Sequence, residues 1–146
     1  MTGLTLQQAM TIVETALRQG RDTGCAPLAV VVLDAGGHLK AFAREDGAGI
    51  VRPQIAIAKA WGALGMGVGS RALAKRVNEN PQLQPFFSAL SAVSEGRIVP
   101  VPGGVLIRDA DKAVIGAVGI SGDTSDKDEA CAVAGIAAAG LLADTG

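Results

Sequence analysis

Near the start of the chain, Leu6, Ala9, Met10, Val13, Ala16 and Leu17 recur at helical spacing behind Thr5-Leu6-Gln7-Gln8, which fits a capping box. The pattern predicts a helix from about Leu6 to Arg21 that ends near Gly24. The run from Leu28 to Leu33 is continuous, short and β-branched, so it reads as a strand. Asp34-Ala35-Gly36-Gly37 then turns the chain into His38–Arg44, where Leu39, Ala41 and Ala43 alternate with His38, Lys40, Phe42 and Arg44. These two segments form a hairpin. Glu45 to Gly49 breaks the alternation, and Arg52 or Pro53 opens a second helix that runs through Met66, with proline suited to a first turn. Gly65, Gly67 and Gly69 end it, and Ser70 caps a third helix from Arg71 to Asn78, stopped by Asn80-Pro81. From Gln82 to Ser94 the pattern supports one loose helical turn or a lid. A short strand is expected at Ile98–Val101, demoted towards an edge by Pro100 and Pro102, and another strand at Val105–Arg108.

The most densely specified stretch is Gly116–Gly135. Val114, Ile115, Val118 and Ile120 favour a strand, while Gly116, Ala117 and Gly119 leave room for close approach. Ser121-Gly122-Asp123-Thr124 is a turn, and Ser125-Asp126-Lys127-Asp128 fits a capping pattern. The acids at this helix start complement the macrodipole and argue against a phosphate cradle. The order α, β-β, α-α, β-β-β, α predicts a single α+β domain over residues 1–146, with an antiparallel sheet of about five strands flanked by helices.

Composition narrows the function classes. The 146 residues are 49% hydrophobic but only 3% aromatic, with 20 Gly and no Tyr, so the core must be built from small aliphatic side chains. Net charge is −1 with no concentrated basic surface, which makes nucleic acid an unsuitable partner. Cys25 and Cys131 belong to no C-x-x-C pair and read as buried thiols in a reducing compartment. The apolar run Ala130–Ala143 has the length of a buried helix and is too short to span a bilayer. No secretory n-region is evident, so a soluble cytoplasmic protein is expected, with no membrane partner.

Four places could carry chemistry. His38 is the one histidine; it cannot build a zinc site alone, but one axial imidazole suffices for haem iron. Its ordinary reading is a half-exposed residue at a hairpin. Arg44 could clamp a carboxylate and Asp46 act as acid/base or orient Arg44, or the two could form a local turn pair. Lys59 lies among Ile55, Ala56, Ile57, Ala58, Ala60 and Trp61. Desolvation there would lower its pKa and make it a base or nucleophile, unless its ammonium reaches water. Gly103-Gly104 could serve a bulge or present N–H groups to an anion. Ser121 lacks the G-x-S-x-G spacing of a nucleophile elbow.

Val32-Leu33-Asp34-Ala35-Gly36-Gly37-His38-Leu39, Ala43-Arg44-Glu45-Asp46-Gly47-Ala48, Ala58-Lys59-Ala60, Gly103-Gly104 and the Gly116 stretch occur in order along nearly the whole chain. Together they resemble the GlcG/HbpS-like haem-binding family, whose domain also forms the C-terminal part of PduO proteins. The resemblance implies a profilin-like fold, a homo-oligomer (a tetramer or an octamer), haem or a related tetrapyrrole as ligand, and a catabolic-operon setting. By position it implies that Arg44, Asp46, Lys59, Gly103, Gly104 and Ser121 line or support a ligand pocket at one end of the sheet; under the haem reading His38, the one histidine, is the expected iron ligand. Val105-Leu106 stands where many members have a proline, and the Glu-x-x-Glu iron motif of some secreted members is absent. Two alternatives stay open: a cofactor-free enzyme on a small carboxylate or aromatic catabolite, using Lys59, Arg44 and Asp46, or a structural partner of an operon enzyme.

Overall fold

The computed structural model describes residues 3–146. Helix α1 (Leu6–Asp22) begins with the expected capping box, Thr5 and Gln8 exchanging side-chain and backbone hydrogen bonds at 3.0 and 3.1 Å. Strands β1 (Ala29–Asp34) and β2 (Leu39–Arg44) form the hairpin. Helix α2 (Arg52–Met66) follows, then α3 (Ser70–Glu79), a 3-10 turn (Pro81–Leu83) and α4 (Gln84–Val93). Strands β3 (Gly104–Arg108) and β4 (Val114–Ser121) form a second hairpin. The described residues end with α5 (Ser125–Ala138) and β5 (Leu142–Asp144).

The five strands make one antiparallel sheet in the order β2-β1-β4-β3-β5. On one face, α1 and α5 cover Val30, Val32, Val105, Ile107, Val118 and Ile120, with both cysteines buried as free thiols in the same cluster. On the other face, the alanines of α2 pack on Val31, Leu33, Leu106 and Ala117. The scarcity of aromatic residues has its geometric counterpart here. A Cβ on Gly119 would collide with the Ala56 carbonyl, and one on Gly104 with the Lys59 carbonyl. Small residues on both partners therefore let the α2 backbone lie almost against β3 and β4.

Several local expectations change. Ile98–Val101 is not a strand: Pro100 and Pro102 remove two ladder donors, and the segment runs beside α2, where Ile98 meets Gly62. The fifth strand is β5 instead. The apolar run beginning at Ala130 does not continue as helix to Ala143. It breaks after Ala138, turns at Gly140 (φ 75°), and returns as a strand against Leu106–Arg108, where Arg108 Nε donates to Asp144 at 2.9 Å. Gln84–Val93 is a full helix rather than one loose turn. Thr124, one residue before the expected position, caps α5 by accepting from Lys127 N. Ser70 is the first residue of α3, and its Oγ accepts from Gly104 N at 2.7 Å.

Candidate functional site

The sheet register sorts the candidate residues into two groups. Ala29 of β1 pairs with Arg44 on one side and Ser121 on the other, so Arg44 and Ser121 share one end of the sheet. Gly103 and Gly104 belong to the same end, since Gly104 pairs with Gly119 and Gly103 accepts from Ile120 N. His38 stands at the opposite end, just before β2. Six strand residues at about 3.3 Å each put roughly 20 Å between His38 and Arg44. The structure therefore does not bring His38 together with the other candidates.

At the Arg44 end, Lys59 leaves α2, passes the bare Cα of Gly103 and ends in the interior, with 3% exposure. Its Nζ donates to the Ile120 carbonyl at 2.9 Å and to Asp128 Oδ2 at 3.2 Å. Asp128, 1% exposed, also accepts from Asp123 N at 3.0 Å. Asp123 in turn accepts from Ala26 N and Thr124 N. Burial pushes the Lys59 ammonium below its ordinary value, opposed by the Asp128 charge, and pushes the Asp128 carboxyl up. The pair ties α2, on one face, to α5, on the other, around the sheet end. Lys59 lines none of the described clefts.

Outside this buried strut lies a cleft of about 410 Å³ lined by Arg21, Pro27, Arg44, Glu45 and Asp46. Arg21 is committed to Glu45 at 3.0 Å and to the Cys25 and Ala26 carbonyls. Arg44 Nη1 donates to the Ala48 carbonyl at 2.8 Å. Ser121 is buried, and its Oγ accepts from Arg52 Nη1 at 3.3 Å. Arg52, read from the sequence only as a helix opening, is thus an additional cation at this end. Asp128 was likewise read only as a capping acid. Its signal was its place four and seven residues before Ala132 and Gly135, on the buried stripe of α5.

At the His38 end the arrangement is open. The imidazole is 80% exposed, and its Nδ1 lies 3.4 Å from Asp34 Oδ1. That same oxygen accepts from the backbone N–H groups of Gly36 and His38, both at 3.0 Å. These bonds, the His38 N–H first, hold the Asp34 carboxyl below its usual value against a smaller opposing effect of burial. A carboxylate facing Nδ1 favours the Nδ1–H tautomer and leaves the Nε2 lone pair for a ligand. Beside the hairpin, Ala35, Gly36, Gly37, Trp61, Leu64 and Gly65 line a hollow of about 150 Å³. The Arg97 guanidinium lies 4.1 Å over the Trp61 ring and covers one face of it. Among the described residues no group of three His, Cys, Asp or Glu could hold a metal ion directly, and no helix is long and apolar enough to cross a membrane. His38, which does not line that hollow, supplies one imidazole, the number of protein ligands that a metal inside a macrocycle requires.

Three solved structures share this fold. The PduOC:heme complex superposes with a TM-score of 0.83 at 26% identity, covering 96% of this chain and 97% of that one. The Klebsiella pneumoniae protein ORFY gives 0.82 at 26% identity, with 94% and 90% covered. HbpS gives 0.77 at 28% identity, also with 94% and 90% covered. No curated protein matches the chain. The model of the HbpS-like haem degrading proteins matches residues 4–137, nearly the whole of the sheet and its helices, and this chain is a member of that family.

Proposed function

We propose that this protein binds haem or a related tetrapyrrole as a homo-oligomer, with His38 as the axial iron ligand. The observation that carries the reading is a largely exposed imidazole backed by a carboxylate, on a fold matched along almost its full length by a haem complex. Trp61, Leu64 and the bare Gly36-Gly37 turn would offer the macrocycle an apolar edge. A hollow of about 150 Å³ is smaller than the roughly 300–1,000 Å³ of ordinary ligand pockets. Enclosing the rest of the ring therefore calls for a second copy of the chain. Bound haem would supply a redox-active iron, while the protein sets its axial ligand and surroundings.

Haemin titration of the purified protein, with light scattering on the same samples, tests this. A saturable, stoichiometric Soret change on a defined oligomer is expected. A weak change that never saturates would mean adsorption to apolar surface and would reject the reading.

A second reading rests on the 410 Å³ cleft, whose size suits a small carboxylate held by Arg44 beside Asp46. In it Lys59 supports the site from behind, since its ammonium is occupied by Asp128 and Ile120. A thermal-shift screen of small carboxylates checks it: stabilisation that Arg44→Ala removes is expected, and a flat screen would eliminate it.

A further inference from the structure

We infer that Asp34 is a positioning residue for the iron ligand: it fixes the His38 ring through Nδ1 and strengthens Nε2 as a donor. The inference rests on the reading of His38 as axial ligand and concerns a residue to which the family resemblance assigns no role. Three observations carry it. Asp34 Oδ1 is itself held by two backbone N–H groups of the turn, so the carboxylate is a fixed point rather than a swinging side chain. It lies 3.4 Å from Nδ1, the nitrogen away from the free face of the ring. The turn between them is narrow: a Cβ on Gly36 would stand 2.8 Å from His38 Nδ1, so glycine there keeps the approach of ring and carboxylate clear.

An exposed histidine with no partner would sample several rotamers, and each ligation event would have to select one. With Asp34 behind it, the ring is aimed before the ligand arrives. The carboxylate also draws the Nδ1 proton towards itself and places more electron density on the ring. A more electron-rich imidazole stabilises ferric over ferrous iron, so the carboxylate should lower the reduction potential of bound haem. Sequence spacing permits this geometry without announcing it. Asp34 and His38 are four residues apart, and only the turn conformation brings the two side chains together.

Asp34→Asn separates charge from shape. Asparagine keeps an Oδ1 acceptor for the Gly36 and His38 N–H groups, so the hairpin should survive, and thermal melting would show that it does. Wild type, Asp34→Asn, Asp34→Glu and His38→Ala would each be titrated with haemin, and the midpoint potential of the bound iron measured by spectroelectrochemistry. Expected for Asp34→Asn is haemin affinity weakened by roughly 10–100-fold, the range for lost outer-sphere partners. The midpoint potential should rise, and Asp34→Glu should recover part of both. Wild-type affinity and potential in Asp34→Asn, with binding lost in His38→Ala, would overturn the role of Asp34 and leave the haem reading standing. Unchanged binding in His38→Ala would overturn both.

Discussion

The two ends of the sheet handle charge in opposite ways. At the Arg44 end, Lys59 and Asp128 lie in the interior, each hydrogen-bonded to protein groups. At the hairpin end, His38 and Asp34 lie at the surface, and the imidazole is largely exposed. The first arrangement connects helices on opposite faces and is closed off from solvent. The second does little for the fold and leaves a donor atom for a ligand. A lysine in an apolar helix looks like a catalytic group in sequence; in the structure it lies buried beside Asp128. A lone histidine in a turn looks ordinary, and in the structure it is the exposed member of its pair.

Mutations that treat the two ends alike should make the difference plain. The largest effect is expected from Lys59→Ala, which leaves the Asp128 carboxylate buried without its cation. Breaking a buried pair from one side typically costs about 3–5 kcal/mol, which chemical denaturation would measure. A loss below 1 kcal/mol would mean that water reaches Asp128 and that the strut is not closed.

Lys59→Met should cost less, because the methionine stem fills part of the space, and it should add a pH dependence. Burial already raises the Asp128 carboxyl above its unfolded value, and removing the cation raises it further. For a carboxyl shifted upward the folded state binds the proton more tightly, so stability is greatest below the unfolded value. It is lost as pH rises through the folded one. The variant should therefore be more stable in mild acid than at neutral pH, and by a wider margin than wild type. Equal slopes for the two proteins would show that Asp128 does not depend on Lys59.

His38→Ala marks the small end of the series. Its exposed ring should contribute within about 0.5 kcal/mol to the unfolding free energy without ligand. A large loss would make His38 part of the hairpin's own structure and weaken its assignment as a donor kept free.

Local signals in the sequence carried far. The Thr5 capping box, the β1–β2 hairpin and the opening of α2 at Arg52-Pro53 are all present. Each is set by neighbouring residues and turn chemistry, which a linear pattern records. The misses are long-range. Leu142–Asp144 becomes a strand only because β3 offers it an open edge, and Ile98–Val101 loses that role to its prolines. Gln84–Val93 was ambiguous because an apolar helix with only Phe87 buried shows no clean amphipathic stripe. At the sites, Lys59 was singled out correctly as a lysine in apolar surroundings. Its partner Asp128 lies 69 residues away, and no local pattern joins them. The grouping of Arg44, Ser121 and the Gly103-Gly104 pair at one end follows from strand register, as does the separation of His38 from all of them.

The most direct test of the account asks which end of the sheet holds the ligand. Haemin titrations of His38→Ala and Arg44→Ala, run beside wild type with folding checked by circular dichroism, compare the two. The account predicts that the saturable Soret change disappears in His38→Ala and survives in Arg44→Ala. The reverse result, binding kept without the imidazole and lost without the guanidinium, would contradict it and move the site to the Arg44 cleft.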